Sequence, residues 1–482
     1  MVTDAELKLV ETLNKGQRET FFEILEFFAK PGSSQAFVLK GYAGTGKTYL
    51  IKKVVEWINL TQKNKNRIAI TAPTNKAVQV LYNLSEFVTT EHTEQAENLF
   101  DADEKVNSIT YSTIHKLLGL TETITAKGEQ KFTAKQNDKN EILKYQYLIV
   151  DETSMLDDSL CIEIMKFSKE VKILFSGDPC QIPPVNRMDS LPFSQESTRY
   201  NFRRAELTEI MRQKGDNPII AASFVLRNNL AVVQPIQVLK TTLNEKDQGI
   251  IYLDAATARD KVKPLLNEYF NCPAFERDAN YAKVLAWRNK TVDYMNAIIR
   301  ELLYGKDIPV YVVGEKLIAN KPIFERNGII FNNSEELKIL KVETRKEKFY
   351  EKSYSLDALV YKITVEAFDP IGREMIEKRI TVIHEDSQAD YQTLLASVKE
   401  KAIRASLKDI WVSYYNIEKW SANVKYNYAI TCHKSQGSSY TNVFLMEEDL
   451  DFNRKVVERN RIKYTSYSRP TDRLFILRHN YK

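Results

Sequence analysis

The sequence predicts an α/β fold of parallel strand–helix units, and three stretches carry that prediction. Gln35-Ala-Phe-Val-Leu-Lys-Gly-Tyr-Ala-Gly-Thr-Gly-Lys-Thr48 joins an apolar run to a glycine-rich turn, and residues 49–58 continue with the apolar spacing of a helix. Arg67-Ile-Ala-Ile-Thr-Ala72 is a second strand pattern, ending in Pro73-Thr74-Asn75-Lys76 before a helix that begins at Ala77. Tyr147-Leu-Ile-Val150 is an apolar strand running straight into Asp151-Glu152. Open α/β sheets bind ligands at the carboxyl ends of their strands, so the turns closing these stretches are the first candidates for chemistry.

The first turn reads as a phosphate-binding loop. Gly41, Gly44 and Gly46 let the backbone curl around a polyphosphate and aim its N–H groups and the helix N-terminus at negative charge. Lys47 supplies a mobile positive charge for the β- and γ-phosphates of a bound triphosphate, and Thr48 a hydroxyl for Mg²⁺. A chance glycine turn is the bland alternative, and the full G-x-x-x-x-G-K-T spacing between strand and helix weighs against it. Asp151 suits Mg²⁺, directly or through water, while Glu152 suits the water that attacks the γ-phosphate. A strand-terminal acidic pair on its own has a solvated surface pair as its bland alternative, but the phosphate loop upstream gives this one a partner.

Composition bounds the rest. At roughly 150 residues per domain, 482 residues make about three compact units. The 43% hydrophobic content affords a large core. The excess of 69 Lys plus Arg over 64 Asp plus Glu is too small for a wholly basic coat, so any polyanion site must be local. Cys161, Cys180, Cys272 and Cys432 lack C-x-x-C pairing, which argues against a zinc site or disulfide framework. No apolar stretch approaches a membrane span and the N-terminus lacks an export signal, so the expectation is a soluble, cytoplasmic protein without membrane partners.

Along the chain, residues 5–29 carry a helical pattern with Gln17 just before its densest apolar part. Gln17 is either a plain surface glutamine or an amide reading an adenine edge. Pro73, Thr74 and Asn75 suit phosphate contact or a simple N-cap. The acidic stretch 91–106 reads as a solvated insertion, and the polar stretch 121–146, centred on Gly128, as a hairpin excursion. Residues 171–176 form a further strand, closed by Gly177-Asp178-Pro-Cys-Gln181-Ile-Pro-Pro-Val185, where Gln181 can sense a γ-phosphate. Arg212, in Leu207-Thr-Glu-Ile-Met-Arg-Gln213, is a phosphate finger or a surface charge, and pattern does not rank them.

A second α/β unit follows, with strand Lys283–Trp287, turn Arg288-Asn-Lys290 and a helix over 292–303, but no second phosphate loop. Between about 320 and 425 short alternating strands give way to a Lys- and Tyr-rich helical stretch, 390–420, which together read as an inserted small β-domain. The α/β pattern returns at Tyr428-Ala-Ile-Thr-Cys-His433-Lys434-Ser-Gln-Gly437 and ends with Tyr464–Arg469 and a strand over 474–477. His433 in a polar, glycine-terminated turn favours function over a structural role.

Taken together these stretches resemble the helicases of superfamily 1, most closely the RecD/Dda branch that moves 5′ to 3′ on single-stranded DNA, with Pif-type helicases as near relatives. Gly41–Thr48, Thr71–Lys76, Ser112–His115, Asp151–Met155, Gly177–Val185, Leu207–Gln213, Tyr428–Gly437 and Tyr464–Arg469 match that family's motifs in order. Ser468 and Pro470 depart from its usual pattern around the final arginine. The resemblance implies two RecA-like P-loop lobes, the first at 1–195 with an inserted hairpin or pin at 121–146. It places the second lobe at 196–320 and 426–482, interrupted by a small β-barrel with a helical appendage at 321–425.

It also implies roles. Gln17, Gly41, Gly44, Thr45, Gly46, Lys47 and Thr48 would hold ATP, with Thr48 and Asp151 on Mg²⁺. Lys47, Asp151, Glu152, Gln181, Arg212 and Arg469 would serve catalysis, the two arginines reaching the phosphates from the second lobe. Pro73, Thr74, Asn75, His115, His433 and Lys434 would face DNA, with Trp287 or Arg288 stacking on a base, a contact worth roughly 1–3 kcal/mol for an aromatic platform. The implied activity is ATP-dependent unwinding by a monomer acting on single-stranded and forked duplex DNA, alongside a single-stranded-DNA-binding protein or replication proteins. A DNA-stimulated translocase that remodels protein–DNA complexes without separating strands is the alternative.

Overall fold

The computed structural model describes residues 8–30, 35–61, 67–82, 109–133, 140–185, 187–209, 217–234, 240–254, 259–325, 328–369 and 374–478. The chain divides into two units. The larger holds residues 1–118, 137–303 and 428–482, and the smaller holds 119–136 and 304–427.

The larger unit contains two sheets. The first is built from β1 (Ala36–Gly41), β2 (Ile68–Ala72), β3 (Ile109–Thr113), β4 (Tyr147–Val150), β5 (Lys172–Gly177) and β6 (Phe202–Leu207), in the order β3-β2-β4-β5-β1-β6. Every neighbouring pair is parallel. Central strands of such a sheet are covered on both faces, which is why β1 reads as an unbroken apolar run and Ala36 to Leu39 are fully buried. Helix α1 (Lys15–Ala29) precedes β1, and α2 (Lys47–Thr61) follows it. The helical pattern expected over 5–29 restarts at Asn14, whose side chain accepts from the Gln17 N–H while the Gln17 side chain accepts from the Asn14 N–H, a capping box.

The boundary expected at 195/196 falls short of the first sheet's last strand. β6 pairs with β1 along its whole length, Ala36 opposite Phe202 through Gly41 opposite Leu207, so the first sheet runs on to Leu207. Its Phe-Arg-Arg-Ala-Glu-Leu sequence has the alternating burial of an edge strand, which a search for fully apolar strands passes over.

The second sheet is built from β7 (Thr242–Leu243), β8 (Gly249–Asp254), β9 (Ala282–Ala286), β10 (Ala429–Thr431), β11 (Tyr440–Met446) and β12 (Pro470–Arg478), in the order β10-β9-β11-β12-β8-β7. All pairs are parallel except the β7 edge. It begins well before the Lys283 strand from which the second α/β unit was expected. The larger unit also holds helices α3 (Asp158–Met165), α4 (Pro218–Asn228), α5 (Arg259–Phe270), α6 (Asn289–Tyr304) and α7 (Val456–Tyr467).

In the smaller unit, five strands lie in the order 374–383, 354–369, 336–351, 316–319 and 424–426. The short strands expected here are instead two 16-residue strands, Glu336–Glu351 and Tyr354–Asp369, turned by Lys352 with its φ at 52°. Alternation sustained over that length buries Leu337, Ile339, Ile363 and Val365 on one face and keeps the ribbon continuous. Helices Glu385–Ala405 and Lys408–Glu418 pack on the other cluster, around Val360, Tyr391, Val398 and Ile417. Residues 304–320, assigned from sequence to the second lobe, group with this unit.

The hairpin expected over 121–146 is shorter: Thr121–Ile124 pairs with Gln130–Thr133, and Glu141–Lys144 forms a 3-10 turn capped by Asn140. The hairpin turn is fixed within the smaller unit, where the Tyr415 hydroxyl donates to the Gly128 carbonyl at 2.7 Å. Among the described residues no helix is long and apolar enough to cross a membrane.

Candidate active site and nucleic-acid interface

The phosphate loop follows from β1 and α2. Gly44 and Gly46 take φ values of 83° and 79°, a region costly for residues with a Cβ, and this turns the chain from strand into helix. A Cβ on Gly41 would stand 2.7 Å from Lys47 Cγ, so only glycine lets the lysine fold over the loop. There the Lys47 ammonium donates to the carbonyls of Gly41 at 2.6 Å and Tyr42 at 3.3 Å. Thr45 is buried and its hydroxyl donates to the Tyr42 carbonyl, while Thr48 lies half-buried in the first turn of α2.

Gln17 is engaged within the protein at both ends of its amide. It is only 1% exposed, its oxygen is taken by the Asn14 N–H, and its Nε2 donates to the Thr45 carbonyl at 3.2 Å. In this arrangement it ties α1 to the phosphate loop.

Asp151 and Glu152 stand where β4 ends. Burial pushes the Asp151 carboxyl above the usual range, opposed by Lys47 and the Ser176 hydroxyl. The Glu152 carboxyl is raised chiefly by burial and by Asp151, and held back by Arg469 and Lys47. Glu152 also has φ at 50°, a left-handed conformation that a non-glycine residue keeps only when its surroundings enforce it. Two carboxyls, a lysine and an arginine thus share one electrostatic neighbourhood. Gln181 is 4% exposed and its buried Oε1 has no hydrogen-bond partner, a polar atom left for a ligand.

These features fit a nucleotide with Mg²⁺. Among the described residues no group of three or more His, Cys, Asp or Glu side chains gathers as a metal cage. Mg²⁺ in phosphoryl-transfer sites needs only one or two protein oxygens besides substrate phosphates, and Thr48 and Asp151 offer that chemistry.

Asp178, not singled out by the sequence, links this site to the second sheet. Fully buried, its Oδ2 accepts from the Ala43 N–H of the phosphate loop at 2.9 Å and from the Tyr464 hydroxyl at 2.6 Å, and its Oδ1 accepts from the Cys180 N–H. Burial and Asp178 hold the Tyr464 phenol well above its usual value, so it remains a donor. Next to it, Ile182 receives a bond from Gln436 Nε2 at 3.0 Å on its carbonyl and gives its N–H to Thr465 Oγ1 at 3.2 Å. The turns after β5 and β10 and helix α7 therefore form one hydrogen-bonded seam.

Arg469 is 5% exposed on this seam, but its guanidinium is committed to its own lobe. It donates to the carbonyls of Thr465, Ser435 and Ser438 and to the Ser468 hydroxyl. A desolvated guanidinium must be satisfied by nearby acceptors, and here the end of α7 and the turn after β10 supply them. Arg212 lies outside the described residues.

The DNA-facing candidates sit on two edges. Pro73, Thr74 and Asn75 are half-buried in the turn after β2, with the Thr74 hydroxyl accepting from the Ala77 N–H. His115 is exposed on the short helix Ile114–Leu117. His433 and Lys434 lie half-buried in the Cys432–Ser435 turn, where burial lowers the His433 imidazole below its usual value and Glu458 opposes this. The two edges touch: Gly437 has φ at 70°, and a Cβ there would lie 2.9 Å from Ala77 Cβ.

Trp287 and Arg288 follow β9, both half-buried. Their N–H groups donate to Asp449, another residue the sequence did not single out, and Arg288 Nε adds a bond to it at 2.6 Å.

Two families match this chain: an AAA domain over residues 12–242 and a UvrD-like helicase C-terminal domain over residues 426–477. The uncharacterized protein R530 of Acanthamoeba polyphaga mimivirus is 28% identical over 510 residues, covering 96% of this chain and 99% of that protein. The ATP-dependent DNA helicase dda of Enterobacteria phage T4 is 25% identical, covering 90% of this chain and 92% of that protein. The RecBCD enzyme subunit RecD of Buchnera aphidicola subsp. Schizaphis graminum is 26% identical, covering 91% and 69%. A solved Pif1 helicase structure, concerned with DNA unwinding at forked duplexes, aligns at 16% identity with a TM-score of 0.49, covering 96% of this chain and 91% of that one.

Proposed function

We infer that the chain, which belongs to the superfamily 1 helicases of the RecD and Pif type, is an ATP-dependent DNA helicase that moves 5′ to 3′ on single-stranded DNA and separates the duplex ahead of it. The observation that carries the reading is the seam. Asp178 binds the phosphate loop at Ala43 and the second lobe at Tyr464 with one oxygen, so occupancy of the loop bears directly on how the lobes meet.

In this reading Lys47 leaves the Gly41 and Tyr42 carbonyls for the β- and γ-phosphates of ATP. Thr48 and Asp151 would hold Mg²⁺, which when bound would neutralise phosphate charge. Glu152 accepts a proton from the water that attacks the γ-phosphorus as the bond to the β-phosphate oxygen breaks and ADP leaves, and Gln181 Oε1 accepts a hydrogen bond from that water. Arg469 exchanges the Ser435 and Ser438 carbonyls for the γ-phosphate, and that exchange loosens the turn carrying His433 and Lys434. ATP binding and release thus alter the grip of the second lobe on DNA while the Thr74 turn of the first lobe holds, and alternating grip moves the strand.

The hairpin Thr121–Thr133 is the strand-separating pin, and the protein works as a monomer on single-stranded and forked DNA in concert with single-stranded-DNA-binding or replication proteins. The test is ATP hydrolysis with and without a single-stranded oligonucleotide. The reading expects strong stimulation, and equal rates in both would overturn it. Deleting 121–133 is expected to abolish strand separation while leaving stimulated hydrolysis; unwinding by the deleted protein would remove the pin assignment.

A further inference from the structure

We propose that Phe452, stacked on Arg288, is a platform for one nucleobase of the bound strand, a site on the second lobe that extends the DNA-translocating reading and rests on it. β9 lies between β10 and β11 in the second sheet, with Ala286 opposite Thr431, so the turns after these three strands share one carboxyl edge. The turn after β10 carries His433 and Lys434. The turn after β11 opens with the short helix Glu447–Leu450 and runs through Asp451-Phe452-Asn453-Arg454-Lys455 into α7. Helix α7, into which this loop runs, packs against the Cys432–Ser435 turn, so loop and candidate DNA turn lie on the same side of the helix start.

Asp449 organises the platform. It is 4% exposed and accepts from the Trp287 and Arg288 N–H groups, from Arg288 Nε and from the Thr291 hydroxyl, at 2.6 to 2.8 Å. A buried carboxylate with four donors fixes the Arg288 guanidinium, which lies over the Phe452 ring at 3.5 Å. Phe452 is nonetheless 60% exposed. The guanidinium covers part of the ring, and more than half of the residue is open to solvent.

A lone exposed phenylalanine needs no explanation, but a ring held flat by a pinned arginine has already lost the freedom that stacking would cost it. Exposed Arg454 and Lys455 follow directly and suit the phosphates on either side of a stacked base. Aromatic stacking with basic flanks is the general recipe for sequence-tolerant single-strand binding.

The test is fluorescence anisotropy with a labelled thymidine oligonucleotide and a fully abasic strand of the same length, using the full chain. Phe452→Ala is expected to weaken binding to the intact strand by about tenfold and to leave binding to the abasic strand at the wild-type value. Phe452→Leu, which keeps bulk but removes the π face, is expected to behave as Phe452→Ala, whereas Phe452→Trp is expected to restore affinity. Wild-type affinity of Phe452→Ala for the intact strand overturns the platform alone, as does an equal loss on both strands. A wild-type chain that fails to bind either strand overturns the DNA-translocating reading with it.

Discussion

In the first sheet the strand in the fifth position, β1, runs through Gly41, Gly44 and Gly46 into Lys47 and α2; in the second sheet the strand in the same position, β8, runs into Ala255-Ala-Thr-Ala258 before α5. Strand order and direction match across both sheets apart from the antiparallel edge β7. What differs is the chemistry of the turns. The first sheet gathers a lysine and two raised carboxyls at the ends of β1 and β4, while the second offers Arg469, Arg288 and the His433 turn from β9, β10 and α7. In the proposed reading a shared scaffold carries hydrolysis on one side and its charge partners on the other, joined at Asp178 and Ile182. Fold alone would have assigned both sheets the same task.

The sharpest way to break this comparison is Lys47→Ala. If the first sheet alone does the phosphate chemistry, turnover falls on the order of 10³-fold, and a steady-state assay showing substantial residual DNA-stimulated hydrolysis would place the chemistry elsewhere.

Glu152→Gln is expected to reduce kcat by roughly 10²–10⁴-fold while raising the thermal midpoint at neutral pH. The sign follows from its raised carboxyl: the folded state binds a proton more tightly than the unfolded chain, so the stability linked to Glu152 is present below the ordinary carboxylate value and lost as pH rises through the folded one. The amide removes that loss. A midpoint lower than wild type at pH 7 would contradict the assignment.

Tyr464→Phe probes the seam with a smaller effect. It deletes the hydroxyl's bond to a buried carboxylate, worth about 1.5–3 kcal/mol, and the longer bond that hydroxyl accepts from the Ala43 N–H, and calorimetry should show a lowered midpoint together with a raised KM for ATP, because Asp178 also holds Ala43. An unchanged midpoint and KM would mean that the lobes are joined by other contacts.

How much was legible in the sequence follows the same division. The phosphate loop and Asp151-Glu152 are local: glycine spacing, an apolar strand and a helix pattern lie within a few residues of each other, so composition and period reveal them. Asp178 and Tyr464 are 286 residues apart, and no local pattern signals that a strand-terminal aspartate will meet a phenol in a distant helix. β6 was missed because an edge strand alternates with charged residues, and pattern around Gln17 does not reveal that its amide caps α1 and reaches the Thr45 carbonyl. Asp449 and Phe452 carried a faint signal, an acidic run broken by one aromatic and followed by Arg-Lys, which becomes meaningful only when β9 brings Arg288 alongside. The long ribbon at 336–369 was legible as alternation but not as length, since pairing with a neighbour sustains a strand through polar positions.

The central claim is that the two lobes convert ATP turnover at the first sheet into directional movement along DNA. Strand separation on short duplexes bearing either a 5′ or a 3′ single-stranded tail tests it most directly. The account predicts ATP-dependent separation of the 5′-tailed duplex, little of the 3′-tailed one, and none of either by Lys47→Ala. Separation of the 3′-tailed duplex alone, or ATP hydrolysis that separates neither, would contradict it.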